Sequence, residues 1–225
     1  YIEAYIGDGM IMNEQIMDGK KWISTGSVEI DKKMGGGIPF GTLMLVEGNA
    51  SSGKSSLVQQ LLWSALATGE NVALYVTEQT VHSLLRQMGS LGLDVVDDFL
   101  LDRLRIFPVS VLQNDTPDLK RLSSHMEEQL SAGVLVIDSL TTIVPWSGGE
   151  QIKDFLTECK NLCDNGKVVI CTVHEDAFGQ EIGNRTRSVC DAYIRSHVNP
   201  SGASLLKTME VAKIRGADMK TGNIL

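Results

Sequence analysis

Hydrophobic positions in this chain gather into short apolar runs separated by amphipathic stretches. Residues 71–77, 134–137 and 168–173 lack the polar alternation of a half-exposed strand, so each predicts a strand buried on both faces. Residues 42–47 and 104–109 read as further strands. Helices are predicted over 54–68, 81–91, 117–132 and 150–165, with Gly69, Gly92 and Gly166 as stops and Pro117 opening the third. Residues 27–33 suggest a short amphipathic turn, ended by Gly35-Gly36-Gly37 and Pro39. Strand and helix thus alternate, the pattern of a doubly wound, mainly parallel α/β sheet. The polar stretch after residue 173 is left unassigned. Residues 192–198 and 205–215 then read as a β-hairpin turning at Asn199-Pro200-Ser201-Gly202, which adds antiparallel strands at the C-terminal end. Residues 1–22 carry scattered Gly and Met without periodicity and are taken as an N-terminal arm of unknown role. Residues 23–225 form the domain.

Composition narrows the function. The 225 residues are 43% hydrophobic and 21% charged, enough for an ordinary core in one domain with a short appendage. A net charge of -8, from 20 Lys+Arg against 28 Asp+Glu, argues against a duplex-coating surface or a polybasic membrane anchor. Aromatic residues at 5% are too few for a base-stacking platform. No nucleic-acid partner is expected. No apolar run approaches the ~20 residues that span a bilayer, and no signal-peptide pattern opens the chain, so membrane contact would come through a partner. Cys159, Cys163, Cys171 and Cys190 include no Cys-x-x-Cys pair, which suits reduced thiols in a cytoplasmic protein and a packed helix face rather than a zinc site. The chain opens at Tyr1 rather than Met and stops at Leu225 in a strand-like stretch, which leads us to expect trimmed ends.

One motif carries explicit chemistry. Gly48-Asn49-Ala50-Ser51-Ser52-Gly53-Lys54-Ser55 matches G-x-x-x-x-G-K-[ST] in full, leaving an apolar strand and entering a helix. Glycines let backbone N–H groups face phosphates, and the helix N-terminus adds the positive end of its dipole. Lys54 would neutralise β/γ-phosphate charge, Ser55 would hold Mg²⁺, and Ser56 follows as a further contact of the loop. Ligands of such sheets bind beyond the carboxyl ends of the strands, so the residues that leave each strand become candidates. Asp138 fits an acid holding a magnesium-bound water. Glu78 stands where a carboxylate could orient and deprotonate an attacking water, with Gln79 able to share the task. His174 could sense the γ-phosphate. Lys213 and Arg215 lie two apart on a predicted strand, on one face, either as a solvated face or as cations reaching a neighbouring subunit's ATP.

Taken together, these residues resemble the RecA superfamily and its KaiC-like branch. The features are Ser24-Thr25-Gly26, the Gly35-Gly36-Gly37-Ile38-Pro39-Phe40-Gly41 lead-in, the P-loop, Asp138, and Val211-Ala212-Lys213-Ile214-Arg215-Gly216. Ser83-Leu84-Leu85-Arg86-Gln87-Met88, Ser90-Leu91-Gly92-Leu93-Asp94, Leu104-Arg105-Ile106, Asp138-Ser139-Leu140-Thr141-Thr142 and residues 157–166 resemble the archaellum accessory ATPase family FlaH. That resemblance spans residues 23–225. It implies a RecA-like P-loop NTPase that binds ATP and Mg²⁺. It further implies a regulator in the cytoplasm, peripheral to the membrane through partners, within the archaeal swimming motor. Its partners would be the secretion-type motor ATPase, a polytopic membrane platform protein and copies of itself in a homo-oligomeric ring such as a hexamer. The family is nucleotide-gated more than strongly hydrolytic. Glu78 favours turnover, whereas cations lacking from a lone chain would leave binding without turnover.

Three other readings compete. A recombinase paralogue would need basic or glycine-rich loops after the Asp138 and His174 strands. The first loop, Pro145-Trp146-Ser147-Gly148-Gly149-Glu150, has no cation, and the second sets Arg185 and Arg187 against Glu175, Asp176 and Glu181. A stand-alone KaiC-like signalling ATPase would need a second domain or an autophosphorylated hydroxyl, and no second P-loop is present. A structural ring in which ATP only stabilises the fold is the third.

Overall fold

The computed structural model describes residues 16–17, 20–109, 118–201, 204–215 and 223–224. Along the chain come β1 (Ile16–Met17), β2 (Lys20–Ile23), α1 (Val28–Lys33), β3 (Ile38–Pro39), β4 (Leu43–Gly48), α2 (Lys54–Ala67) and β5 (Val72–Val76). Next are α3 (Val81–Ser90), α4 (Val96–Leu100), β6 (Leu104–Pro108), α5 (Leu119–Glu128) and β7 (Val134–Asp138), followed by two 3₁₀ turns at Leu140–Thr142 and Val144–Trp146. The chain closes with α6 (Gly149–Asp164), β8 (Val168–His174), α7 (Gln180–Val189), β9 (Ala192–Ser201), β10 (Ser204–Ile214) and β11 (Asn223–Ile224).

Eight strands form one sheet in the order β11-β10-β9-β4-β8-β7-β5-β6. Neighbours from β9 to β6 are parallel, and β10 runs antiparallel to both β9 and β11. This is the expected mainly parallel sheet with antiparallel C-terminal strands. The hairpin turn expected at residues 199–202 lies later: Asn199, Pro200 and Ser201 continue β9 and pair with Leu206, Leu205 and Ser204 of β10. Gly202 of that turn and Pro117, assigned to a helix start, lie outside the described residues, as does most of the expected arm. Within that arm β2 pairs with β1 and, at Trp22 and Ile23, with β3.

The uninterrupted apolar runs are explained by burial on both sides. Met44, Val46, Leu74, Val136 and Ile170 face a layer containing α2 residues Leu57, Val58, Leu61 and Leu62 and α3 residues Leu84 and Met88. Leu45, Tyr75, Leu135, Ile137 and Val169 face the opposite layer, with Leu122 of α5 and Phe155 of α6. The four thiols are free and buried in this second layer. Burial pushes the Cys163 thiol up to about 12, so it packs as a small apolar group. No helix among the described residues is long and apolar enough to cross a membrane.

Helix α7 occupies the stretch left unassigned by sequence. Only Gly183 and Thr186 of it are buried, and Ile182 and Val189 are its only large apolar residues, so it shows no apolar stripe to read. The helix is held from outside. Lys213 Nζ donates to the carbonyls of Arg187, Ser188 and Cys190 at 3.3, 2.9 and 2.5 Å, satisfying the helix C-terminus with a cation. The short α4 was likewise not anticipated, since five residues carry too little periodicity to read.

A second tie joins α7 to the sheet. Glu47, 1% exposed and next to the last residue of β4, receives Arg187 Nε and Nη2 at 2.7 and 2.6 Å and the Tyr193 hydroxyl at 2.6 Å. Arg195 Nε in turn donates to the Tyr193 oxygen at 3.1 Å. Burial alone would raise the Glu47 pKa. Hydrogen bonds from Arg187 and Tyr193, with the Arg187 charge, outweigh it and leave the value lowered. A lowered folded pKa contributes stability that is complete above the unfolded carboxylate value and lost as pH falls through the folded one. The melting difference between the native chain and Glu47→Gln should therefore be constant at neutral pH and shrink below about pH 4. Calorimetry across pH checks this, and a difference independent of pH would show that Glu47 acts without its charge.

Candidate nucleotide-binding site

Strand β4 delivers the chain to a loop whose shape leaves N–H groups uncommitted. Gly53 caps α2 with φ of 99°, and neither a side-chain cap nor an acidic residue occupies the first turn of the helix. Ser51 is also left-handed, at φ of 60°. Gly48 is required by close approach: a Cβ there would lie 2.2 Å from the Ser196 carbonyl oxygen. Ser196 of β9 donates its hydroxyl to Ser52 O at 2.6 Å and braces the loop from behind. Lys54 Nζ donates to Gly48 O at 2.9 Å and Asn49 O at 2.7 Å, which places the ammonium inside the loop. Burial lowers its pKa, against the opposing charges of Asp138, Glu78 and Glu175.

The strand ends bring the acids to the same edge. Asp138 Oδ1 accepts from Thr172 Oγ1 at 2.7 Å and from Ser55 Oγ at 3.3 Å. Burial raises the Asp138 pKa, and the two hydroxyls oppose the rise. Glu78 Oε1 accepts from Ser139 Oγ at 2.8 Å. Thr77 Oγ1 locks the two strand ends together, donating to Ser139 O and accepting from Ser139 N, both at 3.0 Å. Ser55, Glu78, Gln79, Gln87 and Asp138 line one cavity of about 210 Å³.

These residues fit Mg-ATP on structural grounds. The helix N-terminus lacks a protein anion, the Ser52 hydroxyl is buried without a partner, and a hydroxyl and a carboxylate meet beside the ammonium. Ser55 and Asp138 are the residues that would hold the ion, and Gly48 to Ser56 with Lys54 would take the phosphates. Ser56 itself is exposed.

Other sequence candidates fall elsewhere. His174 ends β8 opposite Gly48, and its backbone N–H donates to Thr141 Oγ1 at 2.9 Å, but it does not line the cavity. Lys213 and Arg215 lie away from the phosphate loop of their own chain. Ile214, between them, pairs with Ala192, which pairs with Met44 at the opposite end of β4 from Gly48. Both cations reach α7, with Arg215 Nη2 on Ser188 O at 3.1 Å and Nη1 on Asp191 Oδ1 at 3.4 Å. A register shift between Val211 and Lys213 interrupts the simple alternation.

Sequence reading missed Thr172, Ser196, Met209 and Lys207. Met209 pairs with Ser196, itself the partner of Gly48, so β10 overlies the loop. Met209 Cε and Lys207 Cδ come within 3.5 and 3.9 Å of where a Gly53 Cβ would stand. Their role follows only once β9 is known to pair with β4.

A mainly parallel sheet with a phosphate loop after β4, an acid ending β7 and an antiparallel C-terminal hairpin defines a RecA-like P-loop ATPase core. The family model described as "ATPase: KaiC" matches residues 23–224, and the chain belongs to that family. It is similar to the archaeal flagellar ATP-binding protein FlaH of Sulfolobus acidocaldarius, 29% identical over 86% of this chain and 87% of that one. The same-named protein of Methanocaldococcus jannaschii is 26% identical over 82% and 81%. In structure, the chain is similar to the flagellar accessory protein FlaH of M. jannaschii, with a TM-score of 0.80, 26% identity, and 90% and 92% of the two chains covered. A KaiC-like protein from Pyrococcus horikoshii shares the fold, with a TM-score of 0.76, 20% identity, and 91% and 93% covered.

Two substitutions separate binding from folding. Lys54→Ala should leave melting near that of the native chain yet weaken Mg-ATP at least ~100-fold in calorimetry, since bound phosphates lose their point charge. Gly48→Ala should lower the melting temperature by roughly 5–15 °C before any nucleotide is added, because backbone must move.

Proposed function

We propose that this chain is an ATP-binding regulatory component of the archaellum motor, binding Mg-ATP at the phosphate loop and engaging the secretion-type motor ATPase. The reading is carried by the similarity to the FlaH proteins over more than four fifths of the chain, together with the meeting of Ser55, Asp138 and Glu78 beside Lys54. It would work in the cytoplasm, held at the membrane face through the motor ATPase and the platform protein, as a homo-oligomeric ring.

The chemistry follows from the residues. Backbone N–H groups at the α2 N-terminus and the Lys54 ammonium bind and orient the phosphates. Magnesium, when bound at Ser55 and Asp138, neutralises phosphate charge. Glu78 accepts a proton from the attacking water. Turnover is weak in a lone chain, where Lys213 and Arg215 stay on the C-terminal end of α7 and on Asp191; to act on a neighbouring subunit's nucleotide they would have to leave those contacts. Lys213→Ala should leave nucleotide affinity of the monomer unchanged while reducing whatever turnover rises with oligomer concentration. Equal loss in both would place Lys213 in a purely structural role.

A recombinase reading has one observation in its favour, 33% identity over 149 residues to RecA of Laribacter hongkongensis. The match spans 38% of that protein, and the loop after β7 offers no cation to a phosphate backbone.

Titration of this protein against the purified motor ATPase with Mg-ATP, Mg-ADP or no nucleotide tests the proposal. Tighter binding with Mg-ATP is expected, and Lys54→Ala should erase the difference. Absence of binding in every state would overturn the motor reading, and single-stranded DNA would be assayed next.

A further inference from the structure

Helix α3 carries two faces. Leu84 and Met88 are buried against the sheet, while Gln87 is exposed and lines the cavity shared with Ser55, Gln79, Glu78 and Asp138. Thr80 begins the helix, its side chain accepting from Ser83 N at 3.2 Å. Glu78 and Gln79 directly precede that cap. The segment from Glu78 to Gln87 is therefore a continuous strand-end, cap and helix, and it sets one carboxylate and two carboxamides on the same small space.

This composition suits a water more than a second metal shell. Ser139 fixes Glu78 through one oxygen, and a carboxylate retains acceptor capacity for a water proton. A nucleophilic water directs only one O–H at its base, and its orientation needs a second polar contact. Asp138, Glu78 and a triphosphate already concentrate negative charge here, so another carboxylate would add repulsion. A carboxamide supplies a C=O to accept from the water and an NH₂ to donate to a γ-phosphate oxygen, with no net charge. Orienting the attacking water in this way is an established use of glutamine in phosphoryl transfer.

We propose that Gln87 holds the attacking water in line with the γ-phosphate, with Gln79 as its second polar contact, so that α3 controls turnover. The proposal rests on the nucleotide-binding reading above. In the step, the water oxygen forms a bond to the γ-phosphorus as the bond from phosphorus to the β,γ-bridging oxygen breaks. That oxygen leaves with the electron pair on ADP, and one water proton passes to Glu78.

The test is binding of Mg-ADP, alone and with aluminium fluoride, to native protein, Gln87→Ala and the neighbouring control Arg86→Ala. Gln87 is exposed on a helix and alanine favours helix, so the variant keeps its fold. Gln87→Ala should bind Mg-ADP as the native chain does and lose ~10-fold or more of the added affinity that aluminium fluoride confers, because that complex includes the in-line water. Arg86→Ala should retain it. Equal tightening in Gln87→Ala and native protein would overturn the proposal, as would native protein that binds Mg-ADP without any tightening. Failure of native protein to bind Mg-ADP at all would overturn the nucleotide reading and this proposal with it.

Discussion

The architecture depends on the N-terminus of α2, which must stay open while the rest of that helix is enclosed. Leu57, Val58, Leu61, Leu62, Ala65 and Leu66 are all buried, so α2 cannot shift without exposing core. Its first turn meanwhile has no side-chain cap and no acid. Ordinary helices have no partner for those N–H groups within the helix and satisfy them with a capping side chain or water. Here the sheet holds the helix rigidly enough to keep them available to an anion, and Gly48, Ser196 and Ser52 set the distance between loop and strand.

Electrostatics at the sheet edge follow from the strand order. Because β8 and β7 stand between β4 and β5, the end of β4 meets Thr172 and Asp138 before it meets Glu78. The ammonium of Lys54, held by the carbonyls of Gly48 and Asn49, thus feels the charges of Asp138 at the end of β7 and Glu78 just beyond β5, and burial shifts both Lys54 and Asp138 toward their neutral forms. Perturbed groups of opposite charge gathered at one sheet edge are characteristic of a functional site.

Much of this was legible in the chain. Apolar runs such as Val134 to Ile137 announced buried strands because both faces of the sheet are covered, and the residues leaving them could be placed at one edge by the parallel topology. The P-loop, Asp138 and Glu78 followed from that logic. Helix α7 did not, because its stability comes from Arg187 and from Lys213 rather than from an apolar stripe. Glu47 was hidden by its apolar neighbours, and nothing local signals that a carboxylate in a central strand has partners 140 and 146 residues away. Lys207 and Gln87 depend on strand pairing and helix placement, which periodicity alone does not fix.

Strand order also bears on how the molecule is made. β4 and β5 are consecutive in the chain, yet β8 and β7 must enter between them, and Ser196 and Met209 arrive later still to back the phosphate loop. During synthesis the first half of the chain therefore holds a P-loop without walls, its apolar strands unpaired on their inner edges. Loop closure over such separations slows folding and prolongs exposure of strand edges. A ribosome must release almost the entire domain before the nucleotide can take part in stabilising it.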